Sequence, residues 1–139
     1  MTNEKMKVVY IAHKLGNDYL NRFQNRAKAT SWAVWAANLG YAPIADWILI
    51  SSIWDEDRRN DGLAIDCRLI ELCDELWLCG DTISPGMNIE LTHALSLKKI
   101  VKDLTGCQKV PTCYILSTPC ESCRDYVNNL PNWTDLPPA

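Results

Sequence analysis

The feature that most limits how this chain can fold is the alternation of short apolar runs with amphipathic stretches. MKVVYIA at 6–12, YAPIA at 41–45, ELWLC at 75–79 and KKIVK at 98–102 read as strands, and TCYILS at 112–117 as a fifth. Runs this short and this apolar suit strands covered on both faces, as in a parallel sheet. Between them lie segments of helical period. One runs from a cap at Asn17 or Asp18 to about residue 38, with apolar positions Leu20, Phe23, Ala27, Val34 and Leu39 and a stop at Gly40. A second covers 62–73, with Leu63, Cys67, Ile70 and Cys73 or Asp74 along one side. A third covers 86–97, and ESCRDYVNNL forms a short fourth. The stretch 46–62, with Trp47, Trp54 and DEDRR, reads as a loop with one short helix.

Strand–helix alternation implies βαβ units. The expected fold is α/β: a three-layer Rossmann-like or flavodoxin-like domain with a mostly parallel sheet of four to five strands. A chain of 139 residues suits one such domain. Residues 1–106 form its body, with 107–139 a cysteine-containing extension packed on it.

Composition excludes several classes of partner. Fourteen basic against 17 acidic residues give a net charge of −3, which offers nothing to a nucleic-acid backbone or an anionic membrane. The most apolar stretch, YAPIADWILI, is interrupted by Pro43 and Asp46 and is too short to span a bilayer. The start runs into a strand without a secretion signal, so the expected location is cytoplasmic. Seven cysteines, an odd number, argue against a disulfide framework there. Cys107, Cys113, Cys120 and Cys123 are the weak candidates for a metal site. Only the last pair has ordinary zinc spacing, and free, partly buried thiols are the preferred reading, with no metal and no cofactor expected.

In open parallel sheets ligands sit beyond the carboxyl ends of the strands. Tyr10, His13 and Lys14 fall at or after the first strand, Asp46 after the second, and Gly80, Asp81 and a Ser-Pro-Gly turn after the third. No GxGxxG or GxxxxGK[ST] is present, so a dinucleotide fingerprint or P-loop is not expected. Ser84 and Gly86 instead open a helix whose N-terminal N–H groups suit an anion. Taken singly, Ser84 is a turn residue and Gly86 a steric necessity. Glu90, in the same helix, has two readings: an acid favoured by the macrodipole, or a catalytic carboxylate. Trp47 and Trp54 are core residues or walls that sandwich a flat ligand.

Taken together, VYIA at 9–12, AIDCRLIELCDELWLCGD at 64–81, and S-x-G-x-x-x-E followed by an alanine-bearing helix and KKIV resemble the nucleoside 2-deoxyribosyltransferase-like superfamily. That group holds deoxyribosyltransferases, deoxynucleoside 5′-monophosphate N-glycosidases and small relatives, often of phage or bacterial origin. The resemblance spans about 7–103. It implies Glu90 as the nucleophile at the anomeric carbon, Asp66 as the acid assisting departure of the base, and Tyr10 as the hydroxyl orienting the nucleophile. It implies that Ser84 contacts the 5′ end of the sugar, where serine suits a phosphate. Gly86, Asn88, His13, Lys14, Asp46, Trp47, Trp54 and Asp81 complete the expected substrate-binding set. The partners implied are a small nucleoside or nucleotide and further copies of the chain in a homo-oligomer. The sequence departs from the group beside the nucleophile, where Asn88, Thr92 and His93 replace a glycine and an aromatic. His93 reads as a packed or capping residue. Those departures favour the alternative, a fold that binds a nucleotide or ADP-ribose-like molecule without turning it over.

Overall fold

The computed structural model describes residues 5–107 and 120–133. Four strands, β1 (Val8–Ala12), β2 (Ala42–Ile44), β3 (Glu75–Leu78) and β4 (Ile100–Asp103), form one sheet in the order β2-β1-β3-β4. Every pairing is parallel; Val9 lies opposite Pro43 and Glu75, and Trp77 opposite Lys102. Five helices accompany them: α1 (Tyr19–Asn38), α2 (Trp47–Ile50), α3 (Arg59–Glu71), α4 (Pro85–Ser96) and α5 (Glu121–Asn129). This is a three-layer α/β fold. The fifth strand expected at 112–117 lies outside the described residues.

The strands are apolar throughout because both faces are covered, and their period of two divides the core. Val9, Ile11 and Trp77 pack with Trp32 and Trp35 of α1, with Leu39 just after it, and with Cys123 and Val127 of α5. Tyr10, Ala12, Leu76 and Leu78 pack on the other side with Ile70, Met87, Leu91 and Ala94 of α3 and α4. Cys73 and Cys79 are buried, as expected of small hydrophobes, and Cys67 is half-buried.

Helix α1 begins and ends as its residues dictate. Asp18 caps it, accepting from the Asn21 N–H at 2.9 Å, and Gly40 follows its end at φ +96°. Its buried face is not the expected one. Leu20, Phe23, Ala27 and Val34 face solvent, while Asn25, Ala29, Trp32 and Ala36 face inward. At about 100° per residue these two sets lie on opposite sides of the helix. Trp32 and Trp35 take the sheet side because Trp32 meets Trp35 edge to face, with ring centroids 5.5 Å apart, and Trp35 meets Trp77 in the same way at 6.1 Å. Asn25 can be buried because its Nδ2 donates to Leu15 O at 2.9 Å.

The stretch 46–62 holds two helical pieces rather than one. After α2 comes a 3₁₀ turn, Glu56–Arg58, that runs directly into α3. The segment 120–133 packs on the same body: Lys102 Nζ donates to Val127 O at 2.9 Å, and Trp133 N to Val101 O at 2.8 Å.

Strand order reverses between β1 and β3: β2 follows β1 on one side while β3 lies on the other. Loops leaving the carboxyl ends of these neighbours part at such a point and open a crevice. His13 and Leu15 lie on one loop and Ser84 on the other, and both flank the cleft described next.

Candidate functional site

The cleft is open to solvent, and the non-atom space within it, counting that open part, is about 660 Å³. Its walls come from the β1–α1 loop, α2, the 3₁₀ turn, α3 and the start of α4. Glu90 and Asp66 lie at its floor, one from α4 and one from α3. Both are buried, at 5% and 7% exposure.

Glu90 is not explained by helix chemistry. A macrodipole acid belongs in the first turn, exposed, with its acidity increased. Glu90 is the sixth residue of α4 and is buried. Burial first, then the charge of Asp66, push its carboxyl up to about 8; the Tyr10 hydroxyl and Arg59 pull the other way. Asp66 is pushed up to about 6, by burial first, with Tyr10 opposing and the Asp46 charge adding. Two carboxyls held this way cost stability, and that cost needs a reason outside the fold.

Tyr10 lies beneath them, fully buried on β1. Burial, then the charges of Glu90 and Asp66, hold its hydroxyl well above the ordinary tyrosine range, so it stays protonated. The hydroxyl is near enough to both carboxyls to lower their pKa, while Tyr10 Oη and Asp66 Oδ1 are buried without a well-formed hydrogen bond. Unsatisfied polar atoms in a native core call for an explanation, and a bound ligand is one.

Ser84 caps α4: its Oγ accepts from the Met87 N–H at 3.2 Å, which leaves the hydroxyl hydrogen free to donate into the cleft. Pro85 has no N–H, so Gly86 supplies the first open backbone donor of the helix. A side chain at Gly86 would crowd Arg59, whose Nη2 lies 3.1 Å from where its Cβ would sit.

Trp47 and Trp54 both line the cleft, in different ways. Trp47 is buried, and its Nε1 donates to Ile11 O at 2.9 Å, so it is a core residue with one edge at the wall. Trp54 is half-buried, with the Arg58 guanidinium stacked 3.6 Å from its ring. His13 lines the cleft but is not a cation. Burial lowers its pKa, and its Nδ1–H donates to Lys14 O at 2.7 Å, since a carbonyl only accepts.

Four expected residues do not line the cleft. Lys14 and Asp81 pair with each other at 2.8 Å. Asp46 is exposed at the start of α2 and reaches the site only through its charge on Asp66. Asn88 is exposed on the outer side of α4, beside Cys67, Ile89 and His93. It precedes Glu90 by two residues, about 200° around the helix, so the two cannot share a face.

The cations of the cleft are Arg22, Arg58 and Arg59, which sequence reasoning missed. Glu56 ties two of them: its carboxylate accepts from Arg59 Nη1 at 3.1 and 3.2 Å and from Arg22 Nη1 at 3.1 Å. Arg22 also donates to Ser51 O and Trp54 O, which fixes the loop. One signal was present: Arg58 and Arg59 stand at the start of α3, where the helix dipole disfavours cations.

Among the described residues, no group of three or more His, Cys, Asp or Glu is placed to hold a metal. Cys107 and Cys123 sit in the core with half-buried Cys120 packed against them, and Cys113 lies outside the described residues. No helix among those residues is long and apolar enough to cross a membrane.

No curated protein and no solved structure matches the chain. Residues 7–104, which carry all four strands and every cleft residue named above, match the family described as Domain of unknown function (DUF7768), and the chain belongs to that family.

Proposed function

We propose that this protein cleaves, or transfers across, the N-glycosidic bond of a (deoxy)nucleoside 5′-monophosphate or related nucleotide, with Glu90 as nucleophile. The observation that carries the reading is the buried carboxyl pair at the crevice, Glu90 and Asp66, sharing one neighbouring hydroxyl and leaving Asp66 Oδ1 without a partner.

In this mechanism a Glu90 oxygen attacks the anomeric carbon as the bond to the base nitrogen breaks, and the bonding electrons leave with the base. Asp66, protonated at that moment, delivers its proton to the base. Water, or an acceptor base, then attacks the same carbon; Asp66 takes its proton, and the Glu90–sugar bond breaks to regenerate the carboxylate. Tyr10 orients Glu90. Ser84, the Gly86 N–H and Arg59 receive the 5′-phosphate. The protein works without a cofactor, in the cytoplasm, as a homo-oligomer.

A second reading is sequestration without turnover. It is favoured by the acidity of Glu90, which at about 8 leaves most of the free protein without a carboxylate nucleophile at neutral pH.

Incubation with deoxynucleosides, their 5′-monophosphates and ADP-ribose-type nucleotides, followed by chromatography for free base, tests both. Release from a monophosphate in preference to the nucleoside supports the proposal. A nucleotide recovered intact and tightly held supports sequestration and removes Glu90 from its role.

A further inference from the structure

One wall of the cleft holds an internal carboxylate where an anionic ligand would be expected. Glu56 stands between Arg22 and Arg59, with three contacts of 3.1–3.2 Å. The two arginines are largely covered, at 12% and 31% side-chain exposure, whereas Glu56 is 44% exposed. Glu56 lies on a single 3₁₀ turn that has no side-chain cap. Arg22 is held besides by the carbonyls of Ser51 and Trp54, and Glu56 is the most exposed of the three side chains.

Arg59 faces two ways. Its Nη1 is held by Glu56, while its Nη2 lies against Gly86 beside the Ser84 hydroxyl. A planar guanidinium presenting its two ends to neighbouring anion positions matches adjacent phosphates of one pyrophosphate. The inner position has the Ser84 hydroxyl and the Gly86 N–H as further donors. The outer position has Arg22 Nη1. Asp66, whose buried Oδ1 has no hydrogen-bond partner, is among the residues of the same cleft.

We infer that the cleft holds two anionic subsites bridged by Arg59, that Glu56 occupies the outer one in the free protein, and that the ligand is a nucleotide with a 5′-pyrophosphate. The first phosphate sits at the start of α4. The second displaces Glu56 and takes its place between Arg22 and Arg59. The charges agree: with Glu56 in place Arg22 and Arg59 leave one positive charge unmatched, and with Glu56 displaced they leave two. This rests on the cleft being a nucleotide site, but it does not require that any bond be cleaved.

Calorimetric titration of the full chain with inorganic phosphate and with pyrophosphate tests it, since neither probe has a glycosidic bond. Pyrophosphate is expected to bind at least about ten-fold more tightly than phosphate. Glu56→Gln, which keeps the shape of the side chain and removes the competing charge, is expected to widen that ratio by a further factor of about ten. Arg59→Ala is expected to bring it towards one. Arg59→Lys retains the charge without the fork and is expected to lie between, which separates lost recognition from lost folding. Equal binding of the two probes, or a Glu56→Gln protein that loses affinity for both alike, overturns the inference whether or not base release is found. ADP and ADP-ribose then separate the two sources of the group: tighter ADP assigns a free terminal phosphate, tighter ADP-ribose an esterified one.

Discussion

Glu90 on α4 and Asp66 on α3 form one buried acid pair, and a charge on Asp66 is a main reason, after burial, that Glu90 resists ionisation. Repulsion is reciprocal, so the two titrate as a unit, with steps near the values of about 6 and about 8 reached by Asp66 and Glu90. Between them the pair carries one proton. The proposed mechanism needs that proton on Asp66 and the charge on Glu90, the less populated of two arrangements with the same proton count. The pH dependence of kcat/KM is therefore expected to be bell-shaped, with limbs near 6 and 8 and a maximum near 7. A profile that rises steadily to pH 9 would show that Asp66 supplies no proton.

The same pair makes stability fall with rising pH. A folded-state pKa above the ordinary 4.5 means that the native protein binds more protons than the unfolded chain, so stability is full below about 4.5 and is lost as pH climbs towards about 8. Glu90→Gln removes the group that resists charging. Its melting temperature is expected to exceed that of the wild type at pH 8–9, by up to about 3 kcal/mol in stability, with the gap closing below pH 5. Calorimetric melts across pH check this, and a constant offset at all pH values would contradict it.

Tyr10→Phe separates function from folding at one atom. The Tyr10 hydroxyl is buried without a hydrogen-bond partner, so its removal is expected to change stability by less than about 1 kcal/mol. That hydroxyl also lowers the pKa of both carboxyls, so both limbs of the pH profile are expected to move to higher pH. Base release is expected to fall about ten- to a hundred-fold. Unchanged activity on a stable Tyr10→Phe protein would leave Tyr10 as a packing residue.

Gly80→Ala probes the loop after β3. Gly80 has φ +96°, and a Cβ there would lie 2.8 Å from His13 Nε2. Backbone strain and the clash together are expected to cost about 2 kcal/mol and to push His13 into the cleft, weakening ligand binding. Gly106→Ala, away from the cleft, where a Cβ also meets nothing within 4 Å, serves as the control, and equal losses for the two would contradict the account.

The strands were legible because a strand covered on both faces needs unbroken apolar residues, and VVYIA and ELWL have them. That His13 and Ser84 meet at one crevice was legible because the loops after parallel strands line it, whereas Asp66 and Glu90 reach it from inside α3 and α4. The buried face of α1 did not follow, because Leu20 and Phe23 outrank Ala29 and Ala36 in hydrophobicity, while the wide Trp32 and Trp35 decide which side meets the sheet. Nor did the arginines: Arg22 and Arg59 are 37 residues apart and meet only through Glu56. Lys14 was the visible cation, and its partner Asp81 takes it out of the cleft.

The most direct test of the account is the rate of base release from a deoxynucleoside 5′-monophosphate by wild type and by Glu90→Ala, with nucleotide affinity measured on both. The account predicts that the substitution lowers the rate by at least about a thousand-fold while affinity stays within about ten-fold, because Glu90 acts on the bond and not on the phosphate. A Glu90→Ala protein that releases base within ten-fold of wild type would contradict it.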